Sequence, residues 1–174
     1  MTIPDPSLVL LIGAAGAGKS TFAHMHFRST EILSADQCRA LVSDDENDQS
    51  ATQAAFDVLR CILFRRLRLG RLSVIDATNV QRRARRSLIK IAWQYNVPAI
   101  AVVLNLAESI CVQRNLSRPE RCVPLHAIWA QHAELRRSLP NLSAEGFQEA
   151  WILNTTEEID AARIDRIPTV PRGI

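Results

Sequence analysis

Aromatic residues are scarce in this chain of 174 residues, at 5% with a single tyrosine. No stretch is aromatic-rich in the way that stacks successive bases of a single strand. Trp93, Trp129 and Trp151 are scattered. They are expected in or partly in the core rather than on a stacking platform. Long apolar runs are also missing, and none reaches the ~18 residues of a membrane span. Leu8–Ile12 is too short for a signal-peptide core and runs straight into glycines. These absences point to a cytoplasmic protein with no membrane partner. The four cysteines, Cys38, Cys61, Cys111 and Cys122, form no C-x-x-C pair. Their spacing does not suggest a zinc site, and without a secretory signal they are expected as reduced thiols. Cys61 lies in an apolar helical pattern and is expected in the core.

Net charge is only +3 and carries little information, but the arginines cluster. Arg60, Arg65, Arg66, Arg68 and Arg71 form one group, and Arg82, Arg83, Arg85 and Arg86 a second. Arg114, Arg118 and Arg121 follow. The first two groups read first as solvated helix faces, with contact to phosphates as the alternative.

What is present is an alternation of short apolar strands with helical segments, with no repeat and no low-complexity linker. Leu8–Ile12 is continuously apolar, as a strand buried on both faces requires. Further strands are expected over 31–34, 72–76, 99–104 and 150–154. Helices are expected over about 19–27, 36–42, 51–69, 81–95, 108–115 and 124–139. Ser50 is a candidate N-cap, Gly70 closes the long helix, and Gly146 turns the chain toward the last strand. Asp44–Asp48 is an acidic loop. This pattern predicts a single α/β domain over 1–174, a doubly wound parallel sheet of about five strands flanked by helices. Ligands then sit beyond the carboxyl ends of the strands, which brings Gly13, Asp36 and Asp76 to one rim.

Three of the six glycines fall in Gly13-Ala14-Ala15-Gly16-Ala17-Gly18-Lys19-Ser20. This run fits G-x-x-x-x-G-K-S/T in full. Glycines allow the amides of Ala14 to Lys19 to converge on a polyphosphate, at the N-terminus of the first helix. Lys19 would span the β- and γ-phosphates, and Ser20 would ligate Mg²⁺, with Thr21 the weaker alternative. A plain glycine turn would explain the glycines but not Lys19 or Ser20. A nucleoside triphosphate, ATP with Mg²⁺, is the expected ligand.

Three further features favour a kinase over other phosphate-loop proteins. Asp36 lies just past the second strand, where a carboxylate can take the proton of an attacking hydroxyl. Arg39 shares its helix face and would hold an acceptor phosphate or the transferring phosphoryl group. Alternatively, Asp36 only caps a helix and Arg39 pairs with it. Asp76 ends a buried strand and suits a metal-organising acid, although Asp76 or Thr78 can also serve as a helix cap. Arg114, Arg118 and Arg121 suit a lid, about 115–124, that closes over ATP. Incidental surface arginines are the other reading.

The phosphate loop, the segment SADQCRALVSDDENDQ from Ser34, the VIDATN segment from Val74, and Arg114-Asn115 with Arg118 and Arg121 occur in that order. Together they resemble the kinase domain of bacterial polynucleotide kinase-phosphatase, an RNA-repair enzyme, and related stand-alone P-loop kinases. The resemblance covers nearly the whole chain. It implies transfer of the ATP γ-phosphate to a 5′-hydroxyl RNA or DNA end. It implies Lys19 and Ser20 at ATP and Mg²⁺, Asp36 as general base, and Arg39 at the acceptor side. Arg114 and Arg121 become lid arginines on the nucleotide phosphates, with Arg118 a third member. A small-molecule hydroxyl is the alternative acceptor, and a nucleotide-binding module without transfer a third reading.

Overall fold

A computed structural model describes residues 1–117 and 123–169. Its centre is a five-stranded sheet in the order β3-β4-β2-β5-β6, with every pairing parallel. The strands are β2 (Leu8–Ile12), β3 (Ile32–Ser34), β4 (Ser73–Asp76), β5 (Ala99–Leu104) and β6 (Glu149–Leu153). Two short strands missed in the sequence, β1 (Thr2–Asp5) and β7 (Asp165–Pro168), pair parallel with each other in a separate sheet. The helices are α1 (Lys19–His26), α2 (Ala35–Ser43), α3 (Thr52–Arg68), α4 (Arg82–Gln94), α5 (Glu108–Leu116), α6 (Leu125–Ser138) and α7 (Thr156–Ala161).

Strand β2 is buried at all five positions, and its side chains divide between two cores. Leu8, Leu10 and Ile12 join the core under α2, α3 and α4. Val9 and Leu11 join the core under α1 and α5. Strand β5 alternates in the same way, with Ala101 and Val103 on one side and Ile100 and Val102 on the other. Each such fully buried leucine, isoleucine or valine contributes roughly 1.5–3 kcal/mol. Helix α6 touches both cores, through Ile128 and through Leu135. Among the described residues no helix is long and apolar enough to cross a membrane.

Several sequence expectations need correction. Ser50 does not cap α3; it sits in a 3-10 turn, Gln49–Ala51, and both its backbone amide and its hydroxyl donate to Asp48 Oδ1. Cys61 is exposed, because the core stripe of α3 is Ala55, Leu59, Leu63 and Leu67. Trp93 and Trp129 are about half exposed, at 58% and 50%. Gly146 does turn the chain in the left-handed region, at φ 99°, and a Cβ there would meet the Trp93 ring.

Arg85 alone departs from the solvated-face reading of its cluster. It is fully buried, and its guanidinium forks onto Glu145 at 2.7 and 2.5 Å. Its remaining nitrogen donates to the carbonyls of Asn79 and Val80, at 2.8 and 2.7 Å. Arg82, Arg83 and Arg86 of the same group are exposed, as expected.

At the opposite end of the sheet from the phosphate loop, Arg166 on β7 holds Glu31 with two hydrogen bonds of 2.8 Å. Burial pushes the Glu31 carboxyl up, but the bonds from Arg166 and the Arg28 amide outweigh it and hold the group below the ordinary 4.5. A carboxyl depressed in the fold stabilises above its unfolded value, and that contribution disappears as pH falls through the folded value. Glu31→Gln is therefore expected to lose stability near neutral pH and to show a shallower decline below about pH 4.5 in urea melts across acidic pH.

Candidate nucleotide site

The crossover after β2 runs to β3 at one edge of the sheet, the later ones run the other way across it, and Gly13 follows the last residue of β2. A crevice opens at such a switch point. Here it contains the phosphate loop. Gly16 and Gly18 adopt φ 83° and 97°, in the left-handed region. A Cβ on Gly16 would lie 2.3 Å from the carbonyl oxygen of Cys111, so α5 sets how close the loop can sit. Burial pushes the Cys111 thiol up despite the charges of Lys19 and Arg114, so this residue packs rather than reacts.

The loop is tied from below. The Gly13 amide donates to the carbonyl of Thr78 at 3.0 Å, and Asn79 Nδ2 donates to the carbonyl of Leu11 at 2.8 Å. Asn79 is buried in the left-handed region, at φ 50°. The turn after β4 is thus a strut, which explains why neither Asp76 nor Thr78 caps α4. That helix starts later, at Arg82, with Gln81 at the cap position.

Among the described residues, the amides of Gly16, Gly18 and Ser20 have no protein acceptor. The start of a helix must leave such amides at Gly18 and Ser20, the left-handed turn adds Gly16, and an anion needs donors of this kind. Two expected donors are otherwise engaged. The Ala17 amide closes a turn onto the Ala14 carbonyl at 3.2 Å. The Ala15 amide donates to the side-chain oxygen of Gln131 on α6, at 2.8 Å. Lys19 is buried, and its Nζ donates to the Ala14 carbonyl at 2.9 Å. Gln131 was invisible in the sequence, where a lone glutamine on a helix carries no signal.

Beside the loop lies a cavity of about 310 Å³, lined by Gly18, Thr21, Met25, Arg114, Thr156 and Asp160 among others. It has the size of a small-molecule pocket. Thr21 faces this cavity with Arg114, whose Nη1 would lie 3.5 Å from a Cβ on Gly18. Arg118 and Arg121, the other expected lid arginines, lie outside the described residues, as does Cys122.

The acids come together as their strands pair. Asp76 is in register with Leu11 on one side and Ser34 on the other, so Ser20, Asp76 and the start of α2 surround one rim. Asp76 is buried, at 5% exposure. Among the described residues no cluster of three or more acidic, histidine or cysteine side chains forms a protein-only metal cage. One carboxylate with one hydroxyl still suits Mg²⁺, which is usually held by one or two carboxylates plus the phosphates of its substrate.

The cap of α2 is Ser34, whose hydroxyl accepts from the Gln37 amide, so Asp36 is not the cap. Arg39 donates to Asp36 Oδ1 at 2.8 Å and to the carbonyl of Glu46 at 2.6 Å. The arginine is buried, while the Asp36 side chain keeps 21% of its surface exposed. Arg39 therefore fixes the carboxylate and draws the acidic loop onto α2.

Residues 8–140 match a family described as an AAA domain. A curated relative, "Transcription factor bHLH140" of Arabidopsis thaliana, is 33% identical over 95% of this chain. The chain spans only 18% of that relative's length. Among solved structures, a chain of the Pnkp1/Rnl/Hen1 RNA repair complex superposes with a TM-score of 0.68 at 22% identity, covering 80% of this chain and 47% of that one. A gluconokinase from Sinorhizobium meliloti 1021 gives 0.56 at 14% identity, over 91% and 87% of the two chains. The AvrRxo1-ORF1:-ORF2 complex with ATP gives 0.67 at 13% identity, over 88% and 55%. At these identities the structural likeness shows the fold, that of a P-loop kinase. The match over residues 8–140 goes further, and the chain belongs to the AAA domain family.

Proposed function

We propose that this chain is an ATP-dependent kinase that phosphorylates the 5′-hydroxyl end of RNA or DNA. The observation that carries the reading is Asp36, partly exposed at the rim of the phosphate loop and fixed there by a buried arginine. A phosphate loop alone serves many functions, whereas an oriented carboxylate at the acceptor side serves phosphoryl transfer. The likeness to a chain of an RNA repair complex favours a nucleic-acid end as acceptor.

The roles follow from position. The amides of Gly16, Gly18 and Ser20 bind phosphate oxygens, and Lys19 leaves the Ala14 carbonyl to span the β- and γ-phosphates. Arg114 and Thr21 border the nucleoside. Asp36 takes the proton of the acceptor hydroxyl as that oxygen bonds to the γ-phosphorus and the bond to the bridging oxygen breaks. The products are a 5′-phosphorylated end and ADP. Ser20 and Asp76 would hold Mg²⁺, which neutralises charge on the phosphates. In this reading Arg118 and Arg121 would act as further lid arginines on the nucleotide phosphates, and 1–174 is taken as a single domain.

The direct test mixes the protein with γ-labelled ATP, Mg²⁺ and a 5′-hydroxyl oligonucleotide. Label is expected on the oligonucleotide end; none, with a control kinase active, rejects the acceptor. The gluconokinase likeness supports a second reading, a small-molecule alcohol as acceptor. In that case excess unlabelled oligonucleotide would not compete with transfer to the alcohol.

A further inference from the structure

Gln131 reaches the phosphate loop from α6, 116 residues away in sequence. The backbone N–H of Ala15 can only donate, so the Gln131 group facing it is the carboxamide oxygen, an acceptor like a phosphate oxygen. The nucleoside cavity is bordered by Gly18 and Thr21. The loop runs back from there to Ala15, so a polyphosphate lying along it reaches Ala15 with its terminal group.

We infer that Gln131 is a specificity-determining residue: its carboxamide oxygen holds the Ala15 amide in place of the terminal phosphate of a nucleoside triphosphate. The assignment rests on the nucleotide-binding reading of the loop, and not on the identity of the acceptor. A diphosphate ends short of Ala15 and leaves the bond intact. A triphosphate displaces it, because an anionic oxygen makes a hydrogen bond roughly twice as strong as a neutral one. Displacement needs only rotation of the side chain, since α6 itself is anchored in both cores by Ile128 and Leu135.

The chain with Gln131→Met, near in shape but without the acceptor, is titrated with ATP and with ADP by calorimetry in magnesium buffer. ATP affinity is expected to rise roughly three- to ten-fold, the worth of one net hydrogen bond, with ADP affinity unchanged. Gln131→Glu puts a stronger acceptor in the same place and is expected to lower ATP affinity about ten-fold or more, with a much smaller effect on ADP. Thermal melts check that both variants fold. Equal changes for the two nucleotides, or a weaker ATP complex with methionine, would mean that Gln131 only props the loop, and would overturn the assignment. A wild-type chain that binds neither nucleotide removes the loop reading and this inference together. The expected affinities without transfer to an oligonucleotide would keep Gln131 and discard the acceptor.

Discussion

Asp36→Asn is expected to slow phosphoryl transfer to a 5′-hydroxyl end by about 10²–10⁴-fold, the usual contribution of a positioned general base. ATP affinity is expected to stay within a few-fold of wild type, since the role proposed for Asp36 is on the acceptor side. Asparagine is the cleaner substitution because Arg39 is buried and donates to Asp36 Oδ1. Alanine would remove that acceptor and leave the guanidinium with the Glu46 carbonyl, so loss of activity and loss of structure would be confounded. Asparagine keeps an oxygen for Arg39 but takes no proton. Single-turnover transfer from labelled ATP, with calorimetry alongside, separates the effects. Turnover at the wild-type rate would remove Asp36 from the base role.

Glu145→Ala is expected to cost about 3–5 kcal/mol in urea or thermal unfolding, because it strands a buried guanidinium. Arg85 has no surface exposure, and Glu145 supplies both oxygens of its fork. Two backbone carbonyls remain as acceptors, but neither carries the opposite charge. Replacing both partners, Arg85→Met with Glu145→Leu, is expected to recover most of the loss, since no charge is then buried. The double variant has a second readout. Arg85 holds the carbonyls of Asn79 and Val80, and the adjoining Thr78 carbonyl receives the Gly13 amide. Nucleotide affinity is expected to fall even where stability returns. A loss below about 1 kcal/mol for Glu145→Ala would place the pair among marginal ion pairs.

The sheet was legible wherever burial left a simple trace. Strands β2 and β5 are apolar at every position, because helices cover both faces, and their limits coincide with the apolar runs. For β6 the expected range starts one residue late, since the strand lies at the sheet edge and begins with exposed Glu149. Strands β1 and β7 left no trace: each is four residues long, and Asp5, Asp165 and Arg166 interrupt any apolar pattern. The loop from Gly13 to Ser20 was readable because its glycine spacing reflects backbone angles, two of them left-handed. Side chains whose partners lie far along the chain were not readable. Arg85 needs Glu145, sixty residues away, before its burial makes sense, and nothing in an arginine-rich helix singles it out. Gln131 meets Ala15 only because α6 passes over the loop. The pairing of Asp36 with Arg39 lies within reach of the sequence, since helical geometry sets it.

The pairing of β1 with β7 bears on how the molecule would respond to pulling. The strands run in the same direction, Thr2 beside Asp165 and Asp5 beside Pro168. Tension applied between residue 2 and residue 168 would therefore drag the two ribbons past one another lengthwise. Every cross-link between them would be loaded at once, including the flanking bonds from Asp165 to Met1 and from Thr169 to Asp5. Rupture would have to be collective, unlike the peeling of a hairpin one bond at a time, and the nucleotide crevice would be shielded from force until this clasp gave way.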